Sequence, residues 1–319
     1  MSRTAATRFR PTLGPNTLTL LVAAALASIY SLAFWERLLA AAPPDGLRGV
    51  LFLAAAGVVL VSLNAFVLSL FAWRGLQKPA LALVLLVAAG LAYFMDGFGA
   101  VIDRHAVQSV LETDAREGRG WLSWQMGAYL LGLGVLPAIA LAFVRVNYRP
   151  WPRELLRRAG FMLAMLVLLA AAVAPFTREM SSTARNHGEL RHLASPLNLA
   201  NALRGYIKHS APAAPLVVAP LGEDARKGRD AAGGPPVLLV LVVGESARAA
   251  SFSLGGYGRE TNPELAKANV LYFGDVSSCG TNTATSLPCM FSNLGREGYD
   301  EARAKASENL LDVLAHAGY

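Results

Sequence analysis

The chain has 319 residues, of which 54% are hydrophobic and 16% are charged, and its formal net charge is +7. Such a composition is too apolar for an ordinary water-soluble domain of this length, so part of the chain must be dissolved in lipid. The composition therefore excludes a simple soluble enzyme and indicates a membrane protein.

The apolar residues concentrate in the first half of the chain, in five runs of about 20 residues, the length that a helix needs to cross a hydrocarbon core. The runs cover residues 17–41, 50–73, 80–101, 121–144 and 159–176. The first run is not a signal peptide, because it ends at Phe34-Trp35-Glu36-Arg37 without a small-residue cleavage site, and further runs follow. Residues 1–176 are therefore predicted to form a transmembrane domain of five helices.

Basic residues cluster in the N-terminal arm, the second-to-third connection and the fourth-to-fifth connection, which five alternating spans would place on one side. They are Arg3, Arg8, Arg10, Arg74, Lys78, Arg145, Arg149, Arg153, Arg157 and Arg158. Cytoplasmic flanks are enriched in such residues. We therefore expect a cytoplasmic N-terminus, with the chain after about Phe176 in the periplasm or its equivalent. Because topology explains much of the net charge, we expect no nucleic-acid partner.

Residues 177–236 are predicted to connect the membrane domain to a further domain. Ser195-Pro196 is a typical helix start, and four apolar side chains then share one helical face. These side chains are Leu199, Leu203, Tyr206 and Ile207. The helix would lie either on the membrane surface or on a soluble core. Residues 211–236 have a linker composition, and His187, His192 and His209 lack a metal-binding spacing and are interpreted as surface residues.

Residues 237–319 alternate between strand and helix patterns, which favours an α/β domain. The apolar run Val237–Val243 ends abruptly in Gly244-Glu245-Ser246, as a buried strand does when it delivers a carboxylate to its carboxyl end. Residues 270–273 are a second candidate strand. A short helix is predicted from Thr261-Asn262-Pro263-Glu264 onward, and a second one over 307–317. In that second helix we expect Leu310, Leu311 and Leu314 to point inward.

The chain's two cysteines, Cys279 and Cys289, bracket a loop rich in hydroxyl groups. In an oxidising compartment we expect them to form a disulfide bond. The loop contains Thr281, Thr283, Thr285 and Ser286, and periodicity does not select one of them. A hydroxyl at a helix N-terminus suits a bound phosphate, and a divalent metal held by Glu245 would activate that hydroxyl as a nucleophile. The alternatives are a disulfide that only staples the domain and a structural glutamate.

Several motifs resemble the lipid A phosphoethanolamine transferases, a family of the alkaline phosphatase and sulfatase superfamily that includes the mobile colistin-resistance enzymes. The resemblance rests on the five spans and on three segments: residues 243–249, residues 261–265 and the run from Ser278 to Ser292. It implies that Glu245 and Thr283 are zinc ligands and that Thr283 also accepts the phosphoethanolamine group. The expected fold is a five-helix transmembrane domain followed by the N-terminal part of an α/β sulfatase-like periplasmic domain.

The resemblance also implies the reaction: phosphoethanolamine passes from phosphatidylethanolamine to lipid A through a covalent threonine intermediate. The protein would lie in the bacterial inner membrane, and the modified lipid A would bind polymyxins less strongly. The remaining zinc ligands are expected downstream of Tyr319. We therefore expect that the chain is truncated within its catalytic domain and that residues 1–319 alone have no transferase activity. His316 is interpreted as a surface residue.

The segment between the third and fourth spans resembles the part of the family that binds the phosphoethanolamine head group. The resemblance implies this role for Ser109, Thr113 and Glu117, whose spacing of four places them along one helical face. The family usually has asparagine where this chain has Ser109. The alternative is an ordinary polar helix face.

The sequence leaves three other interpretations open. A phosphoglycerol-type transferase would have a similar anchor and threonine nucleophile, but that group lacks the cysteine-bracketed loop. A sulfatase would need a cysteine or serine followed by x-Pro-x-Arg, which neither cysteine has. A non-catalytic membrane remnant is the third alternative, whereas a transporter would need more ionisable residues within the spans.

Overall fold

The structure is a computed structural model that describes residues 11–112, 118, 120–210, 217–228, 238–244 and 247–319. The chain divides into two compact units, Met1–Ala211 and Pro212–Tyr319. The first unit thus includes much of the segment 177–236. The predicted boundaries at residues 176 and 236 remain predictions.

In the described part of the first unit, the regular structure is helical apart from one pair of two-residue strands. Its helices are α1 (Pro15–Ser28), α2 (Leu32–Ala41), α3 (Gly46–Ser69), α4 (Gln77–Phe98), α5 (Arg104–Glu112), α6 (Trp124–Tyr129), α7 (Leu136–Phe143), α8 (Trp151–Val173), α9 (Thr177–Asn186) and α10 (Leu197–Ser210). Tight 3-10 turns cover Ile29–Ser31, Ala174–Phe176 and Gly188–His192, and a π-helical segment covers Leu130–Val135. The strands β1 (Thr12–Leu13) and β2 (Arg145–Val146) pair in parallel.

Among the described residues, five helical segments are long and apolar enough to cross a membrane, as the sequence predicts. They are Pro15–Ala41, Gly46–Ser69, Gln77–Phe98, Trp124–Phe143 and Trp151–Asn186. The fifth segment begins well before the predicted residue 159. Pro152 and Glu154 occupy its first turn, where proline and acidic side chains favour a helix start. The arginines in that turn and the next lower the local hydropathy, so the apolar pattern alone does not indicate that the helix begins there.

Contacts at the span ends show that successive spans run in opposite directions. At one end, Asn16 Nδ2 donates to Arg157 O at 3.4 Å, and Lys78 Nζ donates to Ala142 O at 3.2 Å. The first contact joins the start of the first span to the start of the fifth. The second contact joins the start of the third span to the end of the fourth. At the other end, Arg48 pairs with Glu179 at 2.7 Å. The five spans therefore begin and end on opposite faces of the helical unit.

The helix α10 packs on the membrane helices through a face that includes Asn198 and Ala202. Asn198 and Ala202 are buried, whereas Leu203 is 39% and Ile207 is 65% exposed. Asn198 Nδ2 donates to His192 O at 3.1 Å, so a polar side chain lies on the buried face because its hydrogen bond is satisfied there. The exposure of Leu203 and Ile207 disagrees with packing of this apolar face on a soluble core, and its placement on the membrane surface stays a prediction.

A buried hydrogen-bond network joins the starts of the first and third spans. Gln77 is fully buried, and its Nε2 donates to Pro15 O at 2.8 Å and to Thr19 Oγ1 at 3.0 Å. Tyr148 Oη donates to Gln77 Oε1 at 2.8 Å. Because few partners are available at this depth, the network fixes how these helices align.

The described part of the second unit consists of short helices and irregular segments. Its helices are α11 (Pro263–Lys267), α12 (Thr283–Phe291), α13 (Gly295–Gly298), α14 (Glu301–Lys305) and α15 (Leu310–His316). Short 3-10 turns cover Ala249–Ser251 and Ser253–Gly255. The predicted helices near Asn262 and over 307–317 are confirmed with narrower bounds, because Asn262 and Asn309 occupy the N-cap positions. Leu310 and Leu311 are 44% and 57% exposed, so their predicted inward orientation is wrong.

Neither predicted strand of the second unit has a ladder partner among the described residues. Residues 238–243 are largely exposed, with Leu238 at 87%, and residues 270–273 are also outside regular structure. A strand exists only when a neighbour accepts and donates its backbone hydrogen bonds. An apolar run indicates that its side chains favour burial. It does not indicate whether a neighbouring strand is present.

We predict that Gln77→Leu destabilises the helical unit by about 1–3 kcal/mol, because Pro15 O and Tyr148 Oη lose their buried partner. Unfolding of the detergent-solubilised protein measures this loss. Gln125 is exposed, so Gln125→Leu is the matched control and should remain within about 0.5 kcal/mol of the parent. Equal stabilities of the two variants would contradict the structural role of Gln77.

Candidate active site

The two cysteines form a disulfide bond, with their Cα atoms 6.4 Å apart, so the predicted pairing is confirmed. Cys289 is buried in α12, whereas Cys279 lies in the preceding loop. The bond therefore ties residues 279–282 to the helix that follows them. Gly280 passes so close to α12 that a Cβ atom there would lie 2.8 Å from Thr285 Cγ2.

The helix α12 begins at Thr283 because Asn282 caps it. The side-chain oxygen of Asn282 accepts a hydrogen bond from Thr285 N at 2.8 Å, and its backbone oxygen accepts one from Ser286 N at 2.9 Å. Asparagine is among the preferred N-cap residues for this reason. Thr283 is thus the first helical residue.

The hydroxyl groups of the loop differ in exposure. Thr281 and Thr283 are exposed, whereas Thr285 and Ser286 are half-buried. Of the two exposed hydroxyls, that of Thr283 stands at the N-terminus of a nine-residue helix, where the helix dipole favours an anion. The local geometry therefore favours Thr283, which periodicity alone does not select.

A cavity of about 610 Å³ lies against the disulfide and one flank of α12. Its lining includes Phe252, Tyr272, Ser278, Ser286 and Arg296. The rings of Phe252 and Tyr272 stack with their centroids 6.4 Å apart. Thr283 is not among the lining residues, so this cavity reaches the helix one turn beyond its first residue. Arg296 supplies a positive charge that no sequence motif indicated, because it lies outside the cysteine-bracketed loop.

The other predicted site residues lie either outside the described part of the chain or in the first unit. Glu245, Thr113 and Glu117 lie outside the described residues. Ser109 is exposed on α5 of the first unit. Asn282, which holds the first turn of α12, was missed as a site residue, although its position before a run of hydroxyl residues is a recognisable N-cap signal.

Among the described residues, no three His, Cys, Asp or Glu side chains converge as they would on a metal ion. Zinc in proteins takes about four ligands in a tetrahedron. The described side chains therefore do not by themselves fit zinc. His316 instead lies 2.9 Å from Glu308 Oε2, and Glu308 also accepts a hydrogen bond from Leu221 N at 2.8 Å.

The hydrogen bond to Glu308 raises the pKa of His316 above its ordinary 6.5, and the bonds from Leu221 N and His316 lower the pKa of Glu308 below its ordinary 4.5. The raised histidine pKa contributes stability that is complete below pH 6.5 and is lost as the pH rises through the folded value. The lowered glutamate pKa contributes stability above pH 4.5 that is lost as the pH falls. The pair of His316 and Glu308 therefore stabilises the second unit most between pH 4.5 and pH 6.5.

We predict that Glu308→Gln returns the pKa of His316 toward its ordinary value, as followed by an NMR titration of the imidazole protons. Glu264→Gln is the matched control, because Glu264 pairs with Lys267 at 2.8 Å. It should leave the pKa of His316 unchanged. An unchanged pKa in Glu308→Gln would show that the pair does not form.

The chain matches two family models. The model described as phosphoethanolamine transferase EptA/EptB matches residues 60–211, and the model described as sulfatase matches residues 238–319. The first match covers three of the apolar spans together with α5 and α10, and the second covers the disulfide loop.

Curated relatives and a solved structure agree with these matches. Phosphatidylethanolamine transferase Mcr-1 of Escherichia coli is 38% identical over an alignment that covers 97% of this chain and 58% of Mcr-1. Phosphoethanolamine transferase EptA of E. coli O157:H7 is 36% identical over 97% of this chain and 57% of its own length. The integral membrane lipooligosaccharide phosphoethanolamine transferase A of Neisseria meningitidis superposes with a TM-score of 0.84 at 32% identity, and the match covers 97% of this chain and 57% of that one.

Proposed function

Because this chain belongs to the phosphoethanolamine transferase family, as an integral membrane protein with a sulfatase-like domain, we propose that it transfers phosphoethanolamine to lipid A with Thr283 as the covalent acceptor. The chain spans about 57% of the length of EptA of E. coli O157:H7, so the activity of the whole protein is part of this proposal. The observation that carries it is the exposed Thr283 at the capped, disulfide-tied N-terminus of α12.

In the first half-reaction, Thr283 Oγ1 attacks the phosphorus of phosphatidylethanolamine. A bond forms between Oγ1 and phosphorus, and the bond from phosphorus to the glycerol oxygen breaks. The threonine proton ends on that oxygen, so the leaving group is diacylglycerol. The helix N-terminus favours the phosphate that is bound to Thr283.

In the second half-reaction, an oxygen of a lipid A phosphate attacks the same phosphorus. The bond from phosphorus to Oγ1 breaks, the proton of the attacking phosphate returns to Thr283, and lipid A leaves with a phosphoethanolamine group. The new amine lowers the net negative charge of lipid A, so cationic peptides such as polymyxins are attracted less strongly. The similar Neisseria protein is named a lipooligosaccharide phosphoethanolamine transferase, and this name supports an acceptor of the same glycolipid class.

The head group is proposed to be bound by Ser109, Thr113 and Glu117. The support is the family resemblance of this segment and the position of Ser109 on the exposed side of α5. A carboxylate at residue 117 would attract the ammonium group of the head group, and hydroxyls would accept hydrogen bonds from it.

Zinc is part of the proposal on the family resemblance alone. Glu245 and Thr283 would supply two ligands, and the others would have to come from outside the described residues. Zinc would act as a Lewis acid toward the hydroxyl and the phosphoryl oxygens. The two half-reactions are defined by the bonds that form and break at Thr283, and neither is assigned a step at zinc.

The proposed orientation places the N-terminus in the cytoplasm and Thr283 in the periplasm. The segments at residues 74–78 and 145–158 carry seven basic residues and one acidic residue, Glu154, a bias that is typical of cytoplasmic connections. The antiparallel spans then carry the chain to the opposite side after the fifth crossing. A disulfide bond is also expected in the periplasm, which is oxidising.

A phosphoglycerol-type transferase and a non-catalytic membrane remnant are the alternatives. The match to the EptA/EptB model disfavours the first, and the intact cap and disulfide at Thr283 disfavour the second.

We predict that cells expressing the complete gene for this chain carry an ethanolamine-labelled phosphate on the peptide 278–292, as detected by mass spectrometry after feeding isotopically labelled ethanolamine. Thr283→Ala should reduce the adduct to background, because the nucleophile is absent. Thr281→Ala and Thr285→Ala are the matched controls and should retain it. Persistence of the label in Thr283→Ala would refute the assignment, and an unlabelled phosphoglycerol adduct would favour the first alternative.

A further inference from the structure

A second pocket lies in the first unit, at the end where the second span ends and the fifth begins. Its volume is about 270 Å³. Its principal lining side chains are Trp73, Arg74, Tyr148, Arg149, Glu154 and Arg158. Three guanidinium groups thus face one carboxylate, so the pocket favours an anion.

Arg158 is the unusual residue of this pocket, because its charge is almost completely buried at 5% exposure. Its guanidinium group lies over the ring of Trp73, 3.9 Å from the centroid, and its Nη2 donates to Ala72 O. Its Nε and Nη1 atoms have no hydrogen-bond partner among the described residues. Buried donors of a charged group are nearly always satisfied, so two unsatisfied ones point to a missing acceptor.

Glu154 does not supply that acceptor. Its Oε2 accepts a hydrogen bond from Arg149 N at 3.0 Å, and its Oε1 has no partner among the described residues. No ion pair joins Glu154 to Arg158 within the described part of the chain. The carboxylate therefore binds the backbone just before α8 and leaves the guanidinium group of Arg158 without a direct counter-ion.

The position of the pocket identifies the source of the acceptor. Trp73 and Trp151 stand at the ends of two spans, where aromatic side chains are typical of the membrane–water boundary. Phospholipid phosphates lie at this depth. Arginine binds phosphate oxygens in a bidentate manner, and basic pockets between transmembrane helices bind anionic head groups.

We propose that this pocket binds the phosphate group of an anionic phospholipid, such as phosphatidylglycerol, from the adjacent leaflet. Arg158 contacts the phosphate from the floor of the pocket, and Arg74 and Arg149 contact it from the exposed rim. The bound lipid satisfies Arg158 and fastens the connection between the second and third spans to the start of the fifth. This site is separate from the transfer reaction at Thr283 and does not depend on it.

The test is native mass spectrometry of the full chain in detergent, with added phosphatidylglycerol, phosphatidylcholine or inorganic phosphate. We expect one retained phosphatidylglycerol per chain and at least fivefold weaker retention of phosphatidylcholine. The double variant Arg74→Gln/Arg149→Gln should retain phosphatidylglycerol at least fivefold less, and Arg158→Gln should do the same. Fivefold corresponds to about 1 kcal/mol, the contribution of one basic residue near an anionic membrane surface.

Arg153→Gln is the matched control, since Arg153 is exposed on the same helix and does not line the pocket. It should retain phosphatidylglycerol as the parent does. The double variant changes only exposed side chains, so it tests the pocket even if Arg158→Gln does not fold. Equal losses in Arg153→Gln and the double variant, equal retention of the two lipids, or binding of inorganic phosphate without the lipid would each overturn the proposal.

Discussion

The hydrocarbon core of the membrane is the constraint on which the helical unit depends. Because no water is available there, every backbone polar group must be satisfied within the chain, and helices do this. The few buried side-chain polar groups then set how the helices align. Gln77 joins the starts of the first and third spans, and Asp96 Oδ1 accepts a hydrogen bond from Ala33 N at 3.2 Å just beyond the turn Ile29–Ser31. An odd number of antiparallel spans places the end of the fifth span on the face opposite the start of the first.

In the second unit a covalent bond has the ordering role that lipid burial has in the first. The bond between Cys279 and Cys289 holds the loop against α12, and Asn282 fixes the first turn of that helix. Thr283 is therefore presented on a short, constrained helix rather than on a free loop. If Thr283 is the proposed nucleophile, this placement costs it little conformational freedom when its substrate binds, which is an advantage in group transfer.

Sequence reasoning predicted the features that depend on composition and local pattern: the five spans, the disulfide pair and the helix starts at Pro263 and near Asn309. It failed where the outcome depends on a partner elsewhere in the chain. The run 238–243 is apolar enough for a strand, but its strand character requires a neighbour. The burial of Asn198 in place of Ile207 depends on the carbonyl group of His192, and the burial of Arg158 depends on the ring of Trp73. No spacing rule reveals such contacts.

The central claim is that Thr283 and the basic connections lie on opposite sides of the membrane. Labelling with a membrane-impermeant maleimide tests it in spheroplasts, because Cys279 and Cys289 are paired and leave the parent chain without a free thiol. Ala302→Cys, exposed on α14, should react in intact spheroplasts, whereas Leu76→Cys, exposed between the second and third spans, should react only after lysis. Labelling of Leu76→Cys in intact spheroplasts, or protection of Ala302→Cys, would contradict the account.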